Sequence, residues 1–227
     1  NGNKGDLGTG DLKLTREELG PFREKEELKV LKSLGAYDVL QLGYDDQGLE
    51  LLENGVLEQQ FLDILKKIQP NVVITFGQRG FSGHTDHIQV NINATNAFNK
   101  YISIYSSQNI RLFYTAMPKV IAEKREMDLS EEEKSPTIGI DISDDWSNKV
   151  AGLRMYKSQR DAQEIASMFE SMYQSDPFDN YGESREEISQ LFELLKNHGY
   201  TNNPTEYFHQ YYPKLANYDG KILSNRF

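Results

Sequence analysis

The chain has 227 residues, 37% hydrophobic and 26% charged, which suits one globular domain with a sizeable core. A net charge of −10 argues against partners such as nucleic acid or an anionic membrane surface, and leaves the class of small-molecule substrate open. With no cysteine there is no disulfide, thiolate nucleophile or cysteine metal site, and no apolar run is long enough to span a membrane.

Those features are consistent with a cytoplasmic address, and the opening NGNKGDLGTG lacks the apolar core of a signal peptide. It reads as a loop already in progress, continuing to residue 14. TREE at 15–18 matches a capping box, with Thr15 as N-cap and Glu18 reaching back. Leu19, Phe22, Leu28, Leu31 and Leu34 then follow at broadly helical spacing and Gly35 supplies the stop, with Pro21 allowing a later start near Gly20. YDVLQLG (37–43) predicts a strand feeding the turn-rich YDDQG. A second helix is expected from about Val56 to Ile68, closed by Pro70. NVVITF (71–76) is a continuous β-branched and aromatic run, the mark of a strand buried on both faces.

A helix from about Asp86 to Tyr101 comes next, then strands at IRLFYT (110–115) and TIGIDIS (137–143). Between them EKREMDLSEEEKSP is a charged excursion, expected to be a solvated loop or lid. Asp144 to about Lys157 reads as a helix, and residues 161–227 as an acidic, aromatic, mostly helical extension with YFHQYYP (207–213) near its end. Alternation of strand and helix predicts an α/β fold with a mostly parallel sheet. In such sheets ligands bind on the loops beyond the carboxyl ends of strands.

GQRGFSGHTDHIQV (77–90) occupies such a loop and holds two of the four histidines three residues apart. Neutral imidazole is a common zinc ligand and titrates close enough to neutrality for acid–base work. The glycines would let backbone approach a ligand closely. Spacing alone leaves open a surface loop with two solvated histidines, and a catalytic zinc site usually has three protein ligands. His198 reads as a helix C-terminal charge and His209 as a packed or surface residue.

QPNVVITFGQRGFSGHTDH resembles the P-D-V-V…G-x-x-G-H-x-D-H stretch of the PIG-L/LmbE-like family of zinc-dependent N-acetylglucosaminyl deacetylases. Other pieces agree in order: NGNKGDLG, REKEELKVLKSLG, LQLGYDDQGLE and KVAGLRMYKSQ, the last with Tyr156 where the family usually has histidine. The resemblance covers most of residues 1–160. It implies a Rossmann-like three-layer fold and a single deacetylase-like domain over residues 1–227. It also implies that His87 binds zinc, that His84 is the general acid or steadies the oxyanion, and that Asp86 tunes and orients His84. Arg23, Asp46 and Ser82 would line the substrate side, the bland alternatives for Arg23 and Asp46 being an exposed helix charge and a turn aspartate.

The family's A-H-P-D-D motif, which supplies a histidine and an aspartate to zinc and a second aspartate as base, is not in this sequence. His84 and His87 are therefore expected to be half of a site, with the other half encoded upstream, carried on a second chain or lacking. The implied reaction is zinc-dependent removal of an acetyl group from an N-acetylated amino sugar or its conjugate. A catalytically inactive sugar- or protein-binding module is the rival. Assembly into a homo-oligomer stays open.

Overall fold

The computed structural model describes residues 12–105, 109–173, 185–214 and 223–224; the segment NGNKGDLG lies outside them. Two compact units emerge, one drawn from residues 1–46 and 142–194, the other from 47–141 and 195–227.

The first unit is helical. Helix α1 (Arg16–Ser33) starts on the capping box read from TREE, the Thr15 hydroxyl accepting from the Glu18 amide and the Glu18 carboxylate accepting from the Thr15 amide. Pro21 therefore sits inside the helix rather than before it. Leu19 and Val30 are buried, and Gly152 of α5 (Trp146–Met155) brings that helix against Val30 and Leu34. The next helix, α6 (Arg160–Tyr173), is fastened to α5 by Arg154, whose guanidinium forks onto the Glu170 carboxylate at 3.2 and 2.5 Å and reaches the Ser167 hydroxyl at 2.8 Å. The expected strand at 37–43 does not form. Those residues have no ladder partner among the described residues, and Tyr37 and Leu40 are 104% and 61% exposed.

The second unit carries the sheet. Helix α2 (Val56–Ile68) matches its expected limits, and the left-handed Gln69 before Pro70 closes it. Strand β1 (Val72–Thr75) leads through a loop into α3 (Thr85–Ile104). Then come β2 (Arg111–Ala116), the short α4 (Lys119–Lys124), β3 (Ile138–Asp141), β4 (Thr205–Tyr212) and β5 (Leu223–Ser224). The remaining helix, α7 (Arg185–Asn197), runs across the sequence boundary between the units.

The sheet order is β1-β2-β4-β3-β5. β1 and β2 are parallel, as are β3 and β5, but β4 is antiparallel to both of its neighbours. The sheet is thus mixed rather than mostly parallel. YFHQYY is a central strand of it, a departure from the mostly helical extension expected over residues 161–227. The aromatic and glutamine residues of YFHQYY alternate sides once paired, and β-branched content is not needed for that.

β1 also differs from expectation: among the described residues it lies at the edge of the sheet, and Ile74 is 48% exposed. Alternation along β2 fills both faces: Leu112 and Tyr114 pack with Leu62, Leu65, Phe98 and Tyr101 of α2 and α3, while Phe113 packs with Ile138 and Phe208. Each such buried side chain contributes about 1.5–3 kcal/mol. Among the described residues no helix is long and apolar enough to cross a membrane.

Candidate active site

The loop from β1 to α3 is shaped by backbone that side chains rarely allow. Gly80, Phe81 and Gly83 have φ of +63°, +62° and +76°. A Cβ on Gly80 would lie 2.6 Å from the His87 Cβ and 2.9 Å from the Ile88 nitrogen, so only glycine lets the loop rest on the first turn of α3.

His84 is the N-cap of α3. Its Nδ1 accepts from the Asp86 backbone N–H at 3.2 Å, which leaves Nε2 carrying the proton when the ring is neutral. His87 has the opposite tautomer. Its Nδ1 lies 3.0 Å from the Gly80 carbonyl, which can only accept, and 3.1 Å from the Ser82 hydroxyl. The proton is therefore on Nδ1, and the Nε2 lone pair is available to a metal. The His87 ring stacks on Phe76 with centroids 4.1 Å apart and lies 5.0 Å from the His84 ring. Burial lowers the His87 pKa from its ordinary value, as does the neighbouring His84, against the Gly80 hydrogen bond and the Asp86 charge. A neutral, pre-oriented imidazole is what a metal ligand requires.

Asp86 is buried, and its carboxylate accepts from the Gln47 N–H at 2.7 Å and the Leu49 N–H at 3.2 Å. One of its oxygens and a ring nitrogen of His84 lie within 4.8 Å. The carboxylate thus ties the 47–49 turn to α3, a partnership that no sequence pattern signalled. Gln47 is held there at φ +57°. Asp46 precedes it directly in the chain. Ser82 is exposed, with its hydroxyl on the His87 ring. Arg23 lies on α1 of the helical unit, where its guanidinium donates to the Ser158 hydroxyl and carbonyl, each at 3.3 Å. Ser158 also donates its backbone N–H and hydroxyl to buried Glu26.

The charged excursion is not simply solvated. Glu133 has 0% exposure, and its carboxylate accepts from the backbone N–H groups of Arg79, Phe81 and Ser130 at 3.0, 2.9 and 2.9 Å. A run of acidic residues gives no hint of which one turns inward, and sequence reasoning missed it. His198 follows the end of α7, and His209 in β4 meets the Ser135 carbonyl at 2.7 Å through Nδ1, so neither belongs to this loop.

Two histidines of complementary tautomer thus stand on one strand–loop–helix unit, and known proteins resemble the chain over that stretch. Residues 1–98 match the family described as PIG-L, GlcNAc-PI de-N-acetylase. A 1D-myo-inositol 2-acetamido-2-deoxy-alpha-D-glucopyranoside deacetylase from Salinispora arenicola is 26% identical over 141 residues, 55% of this chain and 46% of that protein. A probable N-acetyl-alpha-D-glucosaminyl L-malate deacetylase 2 from Bacillus anthracis is 36% identical over 73 residues, 32% of each chain. These matches thus span half or less of the curated relatives' lengths.

Two solved structures share the fold. The conserved protein TT1542 from Thermus thermophilus superposes with a TM-score of 0.58 at 18% identity, covering 95% of this chain and 78% of that one. N,N'-diacetylchitobiose deacetylase from Pyrococcus horikoshii gives 0.58 at 20% identity, covering 90% and 68%.

Proposed function

We propose that the protein is a zinc-dependent amide hydrolase that removes the acetyl group from an N-acetylglucosamine-type substrate, acting as a single deacetylase-like domain. The observation that carries this reading is the pair of opposed histidine tautomers, each set by a backbone group. His87 would hold zinc through Nε2. When bound, the ion supplies Lewis acidity, polarising a carbonyl and making water more acidic.

His84 keeps its Nε2 proton directed to donation. As the carbon–nitrogen bond of the amide breaks, the His84 Nε2 proton passes to the leaving nitrogen. The water oxygen ends in acetate, one water proton restores His84 and the other leaves with the amine as its ammonium form. Asp86 holds the 47–49 turn on α3 and adds negative charge beside both imidazoles. Asp46, Arg23 and Ser82 are assigned to the substrate side, Asp46 as an acceptor for sugar hydroxyls. The names of the relatives, all acting on acetylated amino sugars where an activity is given, support the substrate class.

The test uses the intact gene product, zinc-loaded and chelator-treated, with a simple N-acetylglucosaminide. One acetate per free amine, lost on chelation and regained with zinc, is expected. Sugar binding by calorimetry without any acetate release would instead establish the binding module.

A further inference from the structure

We propose that Glu133 is a positioning residue for His87, acting through the peptide bond between Gly80 and Phe81; this rests on the reading of His87 as the metal ligand. The Phe81 N–H and the Gly80 carbonyl belong to one planar unit and point in opposite directions when the peptide is trans. On one side the Phe81 N–H donates to Glu133 Oε1 at 2.9 Å. On the other the Gly80 oxygen accepts from His87 Nδ1 at 3.0 Å. The chain of groups is carboxylate, peptide, imidazole. It is a carboxylate–histidine pair with an amide interposed, in which the negative charge polarises the peptide and strengthens its carbonyl as an acceptor.

Glutamate is specifically required. Three backbone donors converge on its two oxygens, whereas a glutamine would turn an NH₂ group towards at least one of them. Two glycines make room for the arrangement. A Cβ on Gly77 would lie 2.2 Å from the Glu133 Cγ, and one on Gly80 would meet His87. Phe81, held at φ +62°, has its amide aimed at the carboxylate.

The experiment compares the intact wild-type protein with Glu133→Gln. In the metal-free proteins at mildly alkaline pH, ring ¹⁵N shifts report the His87 tautomer and hydrogen exchange reports the Arg79 and Phe81 amides. Zinc affinity is measured by chelator competition. The wild type is expected to hold His87 in the Nδ1–H form with both amides protected. Glu133→Gln should mix the tautomers, release at least one of those two amides while β2 stays protected, and weaken zinc by ~10–100-fold.

An unchanged tautomer with zinc affinity within about twofold would overturn the proposal. If Glu133→Gln does not fold, the wild type decides alone: a hydrogen-bond scalar coupling between the Phe81 nitrogen and the Glu133 carboxyl carbon is expected, and its absence overturns the proposal. A wild type that shows the tautomer, the protection and the coupling but releases no acetate leaves this positioning intact and removes the deacetylase reading instead.

Discussion

At the scale of single residues, the two imidazoles differ by which ring nitrogen the backbone occupies. His87 presents a lone pair at Nε2 and His84 presents a proton there. His87→Ala should therefore lose zinc together with activity. His84→Ala should keep zinc and lose turnover by ~10²–10⁴-fold, the range of a general acid. Zinc content and rate in both variants check this, and equal zinc loss in both would be incompatible with it. The histidines themselves were legible because HxxH followed a strong strand signal. Their tautomers were not, because the partners that set them are a backbone carbonyl and a backbone amide. Glu133 was invisible for a related reason: two of its three backbone donors are main-chain groups of a loop about fifty residues away in sequence.

At the scale of elements, periodicity located α2, α3, β1 and β2 closely, since each has an apolar face that packs. It failed where tertiary pairing decides. An apolar run at 37–43 stays irregular, with no ladder partner among the described residues, and YFHQYY becomes a central strand because β2 and β3 flank it. The 47–49 turn is a third such case, fixed to α3 by Asp86. Asp86→Asn turns an NH₂ towards a backbone donor there, which should cost about 1–3 kcal/mol. Because Asp46 precedes that turn, KM for the acetylated sugar should rise in Asp86→Asn while zinc stoichiometry stays at the wild-type level. Asp46→Ala should behave likewise. Zinc titration settles the role of Asp46: loss of zinc in Asp46→Ala would make it a metal ligand instead of a substrate residue.

At the scale of the whole molecule, the stability of the sheet unit is linked to pH through Tyr114. Its ring is buried between β2 and the helices, with the hydroxyl 2.9 Å from the Thr95 hydroxyl. Burial pushes its pKa from the ordinary 10.0 up to about 12, against the opposing effect of the Thr95 hydrogen bond. In the unfolded chain the phenol ionises near its ordinary value, so between 10.0 and about 12 the native state binds the extra proton. The contribution is fully present below the lower value and is lost as pH rises through the upper one. Two pKa units correspond to no more than about 2–3 kcal/mol. Tyr114→Phe should lower stability at neutral pH by about 1 kcal/mol, the worth of one hydrogen bond. It should also remove the Tyr114-linked part of the decline in alkali. Urea midpoints of the two proteins, measured across that interval, should converge as pH rises. Parallel curves would mean that Tyr114 titrates with the exposed tyrosines and that burial does not govern it.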